Sequence, residues 1–358
     1  MRKFAKTLAV AATVTALSLS ACGRAEESTE SEAAGFGEGT KIGVSLPQKT
    51  SENWVLAEGL FNDSLTEAGY EPQVQFANGG ASEQQNQISA MITNGVEVLV
   101  IGAVDGSQLG TQLQEAKDAG ITVIAYDRLL TNTENVDYYA AYDNYTVGTL
   151  QGQALLEGMA AQGEGPYNVE LFAGSPDDAN APVFFEGAMS VLQPEIDNGN
   201  LVVVSGQTEF GNASTQGWKA ENAQTRMDAL LSANYATAEL DGVLSPNDTL
   251  ARAILTSVES AGKPLPIVTG QDSEVESVKL IMDGKQYSTI NKDTRALVAR
   301  SIDMVKSLGA GEEPETNNNE SNNGVKDVPA YLLEPVIVTK ENAVESYAND
   351  PTLSALVK

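Results

Sequence analysis

Histidine is missing from this 358-residue chain, cysteine occurs once and tryptophan twice. Without histidine there is no Ser-His-Asp triad, no imidazole general base and no His-rich zinc site. No metal and no cofactor are expected. A single cysteine cannot close a disulfide within the chain, which leaves stability to packing. Basic residues are scarce too: 21 Lys plus Arg stand against 49 Asp plus Glu, a net charge of -28. Such a surface repels nucleic acid and anionic membrane faces, so neither is expected as a broad partner.

The N-terminus accounts for the lone cysteine. Arg2, Lys3 and Lys6 make a positive start, and residues 8–19 form an apolar stretch too short to span a bilayer. Leu19-Ser20-Ala21-Cys22 follows, a small-residue cleavage site ending in cysteine that resembles a lipobox. The expectation is a leader over 1–21, secretion across the cytoplasmic membrane, and a lipid on Cys22 holding the protein to its outer face. Residues 22–39, mostly Glu, Ser, Ala and Gly with one aromatic, Phe36, read as a flexible tether.

From Lys41 onward, short apolar runs alternate with longer amphipathic segments. Runs at 42–46, 74–76, 98–101 and 123–125 read as strands, with helices over 52–69 and 82–94 and a third ending near Gly120. The rhythm repeats with strands at 169–172, 201–204, 242–244, 267–268 and 287–290. Continuous Val/Ile/Leu runs separated by helices are the pattern of parallel strands covered on both faces. The fold class expected is α/β, with two similar doubly wound parallel-sheet lobes.

In such sheets ligands bind beyond the carboxyl ends of the strands. The residues there form a series: Asn53 and Trp54, Asp127 and Arg128, Asn180, Asn247, Asp272, and Lys292. Asp127, Asn180, Asn247 and Asp272 could each be a helix N-cap instead, since Asp and Asn are common there. Capping does not call for Arg128 or Lys292, however. Planar Asp, Asn and Arg groups can bridge neighbouring hydroxyls of a sugar, and aromatic rings cover its C–H faces. Trp54 and Trp218 both have polar sequence neighbours, which favours a ligand role over a plain core role.

Several blocks in fixed order carry a resemblance. They are Val98-Leu99-Val100-Ile101, Ala125-Tyr126-Asp127-Arg128, Gly174-Ser175-Pro176-Asp177-Asp178, Ser205-Gly206-Gln207, Gly270-Gln271-Asp272 and Lys292-Asp293-Thr294. From Lys41 to about Thr339 the chain resembles the type I periplasmic binding proteins of ABC sugar importers, in the xylose-binding and multiple-monosaccharide-binding group. The resemblance implies a monosaccharide ligand (xylose, arabinose, glucose or galactose), an ABC permease as partner, a monomer, and a three-strand hinge. It implies a first lobe of 40–143 with 291–330, a second of 144–290 with 331–358, and an exposed loop over 311–324. It also gives roles: Asp127 and Arg128 on adjacent hydroxyls, Asn180, Asn247 and Asp272 on others, Lys292 at the crossing, and Trp54 and Trp218 against the ring faces. Asn53 stands where the family commonly has arginine, which bears on the preferred sugar or anomer.

Two other classes compete. A glycosidase would need two carboxyl groups roughly 5–9 Å apart, one of raised pKa; Arg128 and Lys292 are expected to hold Asp127 and Asp272 ionised instead. A repressor would carry a basic helix-turn-helix before the first strand, where this chain has a leader and an acidic tether. A receptor presenting sugar to a chemosensory or sensor-kinase partner is not separable from a transport receptor at this level.

Overall fold

A computed structural model describes residues 35–49 and 51–358. The leader, Cys22 and the tether as far as residue 34 lie outside the described residues.

Among the described residues thirteen strands form three sheets. The first half of the chain contributes β1 (Lys41–Leu46), β2 (Glu71–Phe76), β3 (Val98–Ile101), β4 (Thr122–Tyr126) and β5 (Tyr138–Tyr142). The second contributes β6 (Tyr167–Leu171), β7 (Leu201–Val203), β8 (Gly242–Leu244), β9 (Ile267–Val268) and β10 (Ser288–Asn291). The last three are β11 (Asn318–Asn322), β12 (Asp327–Leu333) and β13 (Val336–Thr339). One sheet has seven strands in the order β11-β12-β5-β4-β3-β1-β2, and another has four in the order β7-β6-β8-β9. Every pairing in both is parallel except β11 with β12; β10 and β13 make a separate antiparallel pair. The architecture is thus the two-lobed α/β arrangement expected from the alternating runs.

Period-two alternation explains why the runs are continuous. In β3, Val98 and Val100 enter the cluster around Trp54 and Phe61, while Leu99 and Ile101 enter the one around Leu113 and Val123. Both faces are covered, so no position in the strand can be polar. In the other sheet Val243 and Leu244 divide between clusters in the same way.

Three expectations are corrected. Residues 311–324 are not all loop, because Asn318–Asn322 pairs along β12 as an edge strand. β12 continues to Leu333 beside β5, past the break expected near Tyr331. Part of the expected tether is docked: Phe36 packs edge-on against Tyr70 at 5.8 Å, and its N–H donates to Gly309 O at 3.0 Å. An aromatic ring gains more on an apolar surface than in water, so it holds the chain down there.

The helix Asn144–Ala160 leaves the end of β5 and lies against the helix Asn180–Asp197 at very close range. A Cβ added at Gly148 would stand 1.9 Å from Phe184 O, and one at Gly187 would stand 2.2 Å from Tyr145 O. Only glycine permits that backbone-to-backbone approach.

Candidate functional site

All nine residues singled out in the sequence, the eight after strand ends and Trp218, line one cavity. Asn53, Trp54, Asp127 and Arg128 come from the seven-stranded side; Asn180, Trp218, Asn247 and Asp272 come from the four-stranded side; Lys292 lies on the chain between them. Ser51, Asp178, Phe184 and Gln271 complete the wall and were not singled out. The two sides touch across the cavity, so the cleft is closed in this structure.

The four possible caps separate cleanly. Asn247 does cap the helix Asp248–Ser260, its Oδ1 accepting from the Leu250 N–H at 2.9 Å. Among the described residues its amide nitrogen has no protein acceptor, and the residue lines the cavity. Asn180 is the first helical residue rather than the cap, which is Ala179. Asp127 and Asp272 cap nothing: each sits at a positive φ, 61° and 92°, where the chain bends away from its strand. Their backbone N–H groups are secured to Ala140 O and Ile290 O, so the bend aims the carboxylates while leaving the backbone satisfied.

Asp178 is the junction of the site. Its Oδ2 takes Arg128 Nε from the opposite side at 2.9 Å and the Trp218 indole N–H at 3.0 Å, and its Oδ1 takes the Asn180 N–H at 2.9 Å. Arg128 also donates to Ala103 O at 3.0 Å. Asn180 Nδ2 crosses to Asp127 O at 2.9 Å. Lys292 Nζ lies 3.2 Å from Asp272 and 3.9 Å from Asp127.

Burial raises Asp178 above the usual carboxylate range, and the Arg128 guanidinium opposes it. Burial likewise raises Asp272, and Lys292 only partly offsets that. The closed cleft thus desolvates the Asp272 carboxylate more than Lys292 compensates. Burial alone would lower Lys292, but the charges of Asp272 and Asp127 overcome it and raise the ammonium above its ordinary value.

Both tryptophans serve core and cavity together. Trp54 is 5% exposed, packs edge-on against Tyr126 at 6.0 Å and has the Arg128 guanidinium 5.4 Å from its ring centre. Trp218 is 8% exposed and fits over Gly174, where any Cβ would come within 2.2 Å of the indole. The sequence signal for Asp178 was its place in the block ending Asp177-Asp178; the turn that selects it over Asp177 is visible only in three dimensions.

The chemistry available is recognition: carboxylates that accept, Arg, Lys and Asn groups that donate, and rings that present apolar faces. That set suits a small ring carrying hydroxyls on its edge and C–H groups on its faces.

Comparison with known proteins agrees with that chemistry. A family model described as a periplasmic binding protein domain matches residues 42–313. The chain is 49% identical over 308 residues to the multiple sugar-binding periplasmic receptor ChvE of Rhizobium radiobacter, covering 84% of this chain and 87% of that protein. It is 36% identical over 311 residues to the D-xylose-binding periplasmic protein of Escherichia coli K12, covering 87% and 90%. Among solved structures, an ABC transporter solute binding protein of Clostridium phytofermentans with bound β-D-glucose superposes with a TM-score of 0.85 at 41% identity, covering 89% of this chain and all of that one. The chain belongs to the periplasmic binding protein family.

Proposed function

We propose that this protein is an extracytoplasmic monosaccharide receptor that closes two lobes around one sugar ring and delivers it to an ABC importer without chemical change. The observation that carries the reading is the single cavity on which two tryptophans, Asp127, Arg128, Asn180, Asn247, Asp272 and Lys292 converge. Asp127, Asp272 and Asn180 accept from hydroxyls; Arg128, Lys292 and Asn247 donate; Trp54 and Trp218 cover the ring faces. Aldopentoses and aldohexoses are the ligand class, in line with the sugars named for the relatives. A thermal-shift screen over D-xylose, L-arabinose, D-glucose and D-galactose tests it, since a ligand that binds only the folded state raises the melting temperature. No shift with any of them, and no calorimetric heat, would refute the receptor reading; release of aglycone from aryl glycosides would replace it with a hydrolase.

The lobes in this reading are 40–143 with 291–333 and 144–290 with 334–358. The chain crosses after β5, after β10 and between β12 and β13. Sugar should draw the lobes together, so small-angle scattering should give a smaller radius of gyration at saturation; an unchanged radius speaks against closure. The protein works as a monomer held to the outer face of the cytoplasmic membrane by lipid on Cys22. Mass spectrometry of the mature protein should find a lipidated Cys22 at its N-terminus, and an unmodified start elsewhere would remove the anchor from the proposal.

A further inference from the structure

Two helices meet across the mouth of the cleft, and neither has a side-chain cap of its own. The helix Glu52–Glu67 follows Ser51, whose hydroxyl is engaged with Asn53. The helix Val275–Met282 follows Glu274, which makes no side-chain cap bond to it. Each helix instead receives a carboxylate from the other. The Val275 N–H donates to Glu52 Oε2 at 2.9 Å, and the Glu52 N–H donates to Glu274 Oε1 at 3.3 Å. First-turn N–H groups have no partner within their own helix, and the positive end of the helix dipole favours an acidic acceptor.

The two acids are supported unequally. Glu274 is buried and braced within its own lobe by Arg252 at 2.6 Å and by the Thr249 hydroxyl at 2.9 and 3.0 Å. Glu52 is exposed, and its carboxylate reaches across from the seven-stranded side. Neither acid lines the inner cavity; both face the space just outside it.

We propose that Glu52 and Glu274 form a reciprocal capping clasp made only when the lobes close, so that they set affinity without touching the ligand. This rests on the receptor reading above. Any interaction present in the closed state and absent from the open one shifts the population toward closure by the same factor whatever sugar is bound. Selectivity then resides in the inner cavity and a common affinity increment at its rim.

The test uses Glu52→Ala and Glu52→Gln in the full-length protein, with D-glucose, D-galactose, D-xylose and L-arabinose as probes. Glu52→Ala should weaken every sugar that binds by one common factor, about three- to tenfold as for one net hydrogen bond, and should do so through faster dissociation. Glu52→Gln keeps an acceptor oxygen and should recover most of the loss. Hydrogen exchange of the Val275 amide should accelerate in Glu52→Ala with sugar bound and be unchanged without it. Factors that differ from sugar to sugar would place Glu52 on the ligand and overturn the clasp. So would unchanged Val275 exchange. If the parent protein binds none of the four sugars the receptor reading falls and the clasp with it; if it binds them and Val275 exchange in the bound form is the same in parent and Glu52→Ala, the clasp alone falls.

Discussion

On the four-stranded side of the cavity, Asp178 takes the Trp218 indole and the Asn180 N–H, and Asn247 caps its own helix, all within one half of the molecule. On the seven-stranded side, Arg128 finds its carboxylate across the cleft, and Asp127 has Asn180 and Lys292 for neighbours. One wall is held in shape by bonds within its own half; on the other, Arg128 reaches its carboxylate partner only across the cleft.

The sharpest way to break that contrast is Arg128→Leu. In the closed form it leaves Asp178 buried without its cation, a loss of about 3–5 kcal/mol, read by calorimetry as weakened sugar binding. The unliganded protein should melt almost unchanged, because an open cleft hydrates Asp178. An equal loss in unliganded stability would mean the pair is a permanent part of the fold.

A smaller effect separates the walls more finely. Asp127→Ala, Asp272→Ala and Asn247→Ala should each weaken binding by on the order of 1.5–3 kcal/mol. Asn247→Ala alone should also lower the unliganded stability, by about 0.5–2 kcal/mol, because a helix loses its cap. If the two aspartate variants melt just as early, the distinction between a prebuilt and a completed wall is wrong.

The smallest expected difference lies between the tryptophans. Each Trp→Phe change should cost about 1 kcal/mol of affinity through lost ring area, with Trp218→Phe the worse because Asp178 also loses an N–H donor. Sugar should reduce acrylamide quenching of both indoles. Calorimetric binding with both indoles unresponsive would remove the stacking role and leave the polar contacts standing.

What the chain discloses by itself follows from how each residue is surrounded. β3 is plain in Val98-Leu99-Val100-Ile101 because both of its faces are buried. β5 is hidden in Tyr-Tyr-Ala-Ala-Tyr, which lacks the branched aliphatics that mark a strand, and β11 in Asn-Asn-Glu-Ser-Asn, which is a strand only because β12 lies beside it. The candidate site was legible to an unusual extent, since a parallel sheet sends polar residues past its strand ends to one edge. Asp178 escaped because it shares a loop with Asp177 and Asn180, and composition does not say which of three polar side chains points inward. The docking of Phe36 escaped for the opposite reason: one aromatic in a polar stretch gives no periodicity to read.

The contact at Gly148 and Gly187 has a mechanical consequence. The helix Asn144–Ala160 starts where the chain leaves the seven-stranded sheet, and the helix Asn180–Asp197 starts inside the cavity with Asn180 and carries Phe184 one turn later. With no clearance between their backbones, the pair moves as one lever. If the lobes close as proposed, bending is expected ahead of Asn144, over a few residues around Asp143, rather than along the helix. Rotation at that pivot would then carry Asn180 with it, so the thickness of two glycines would gauge where its amide arrives on the proposed sugar.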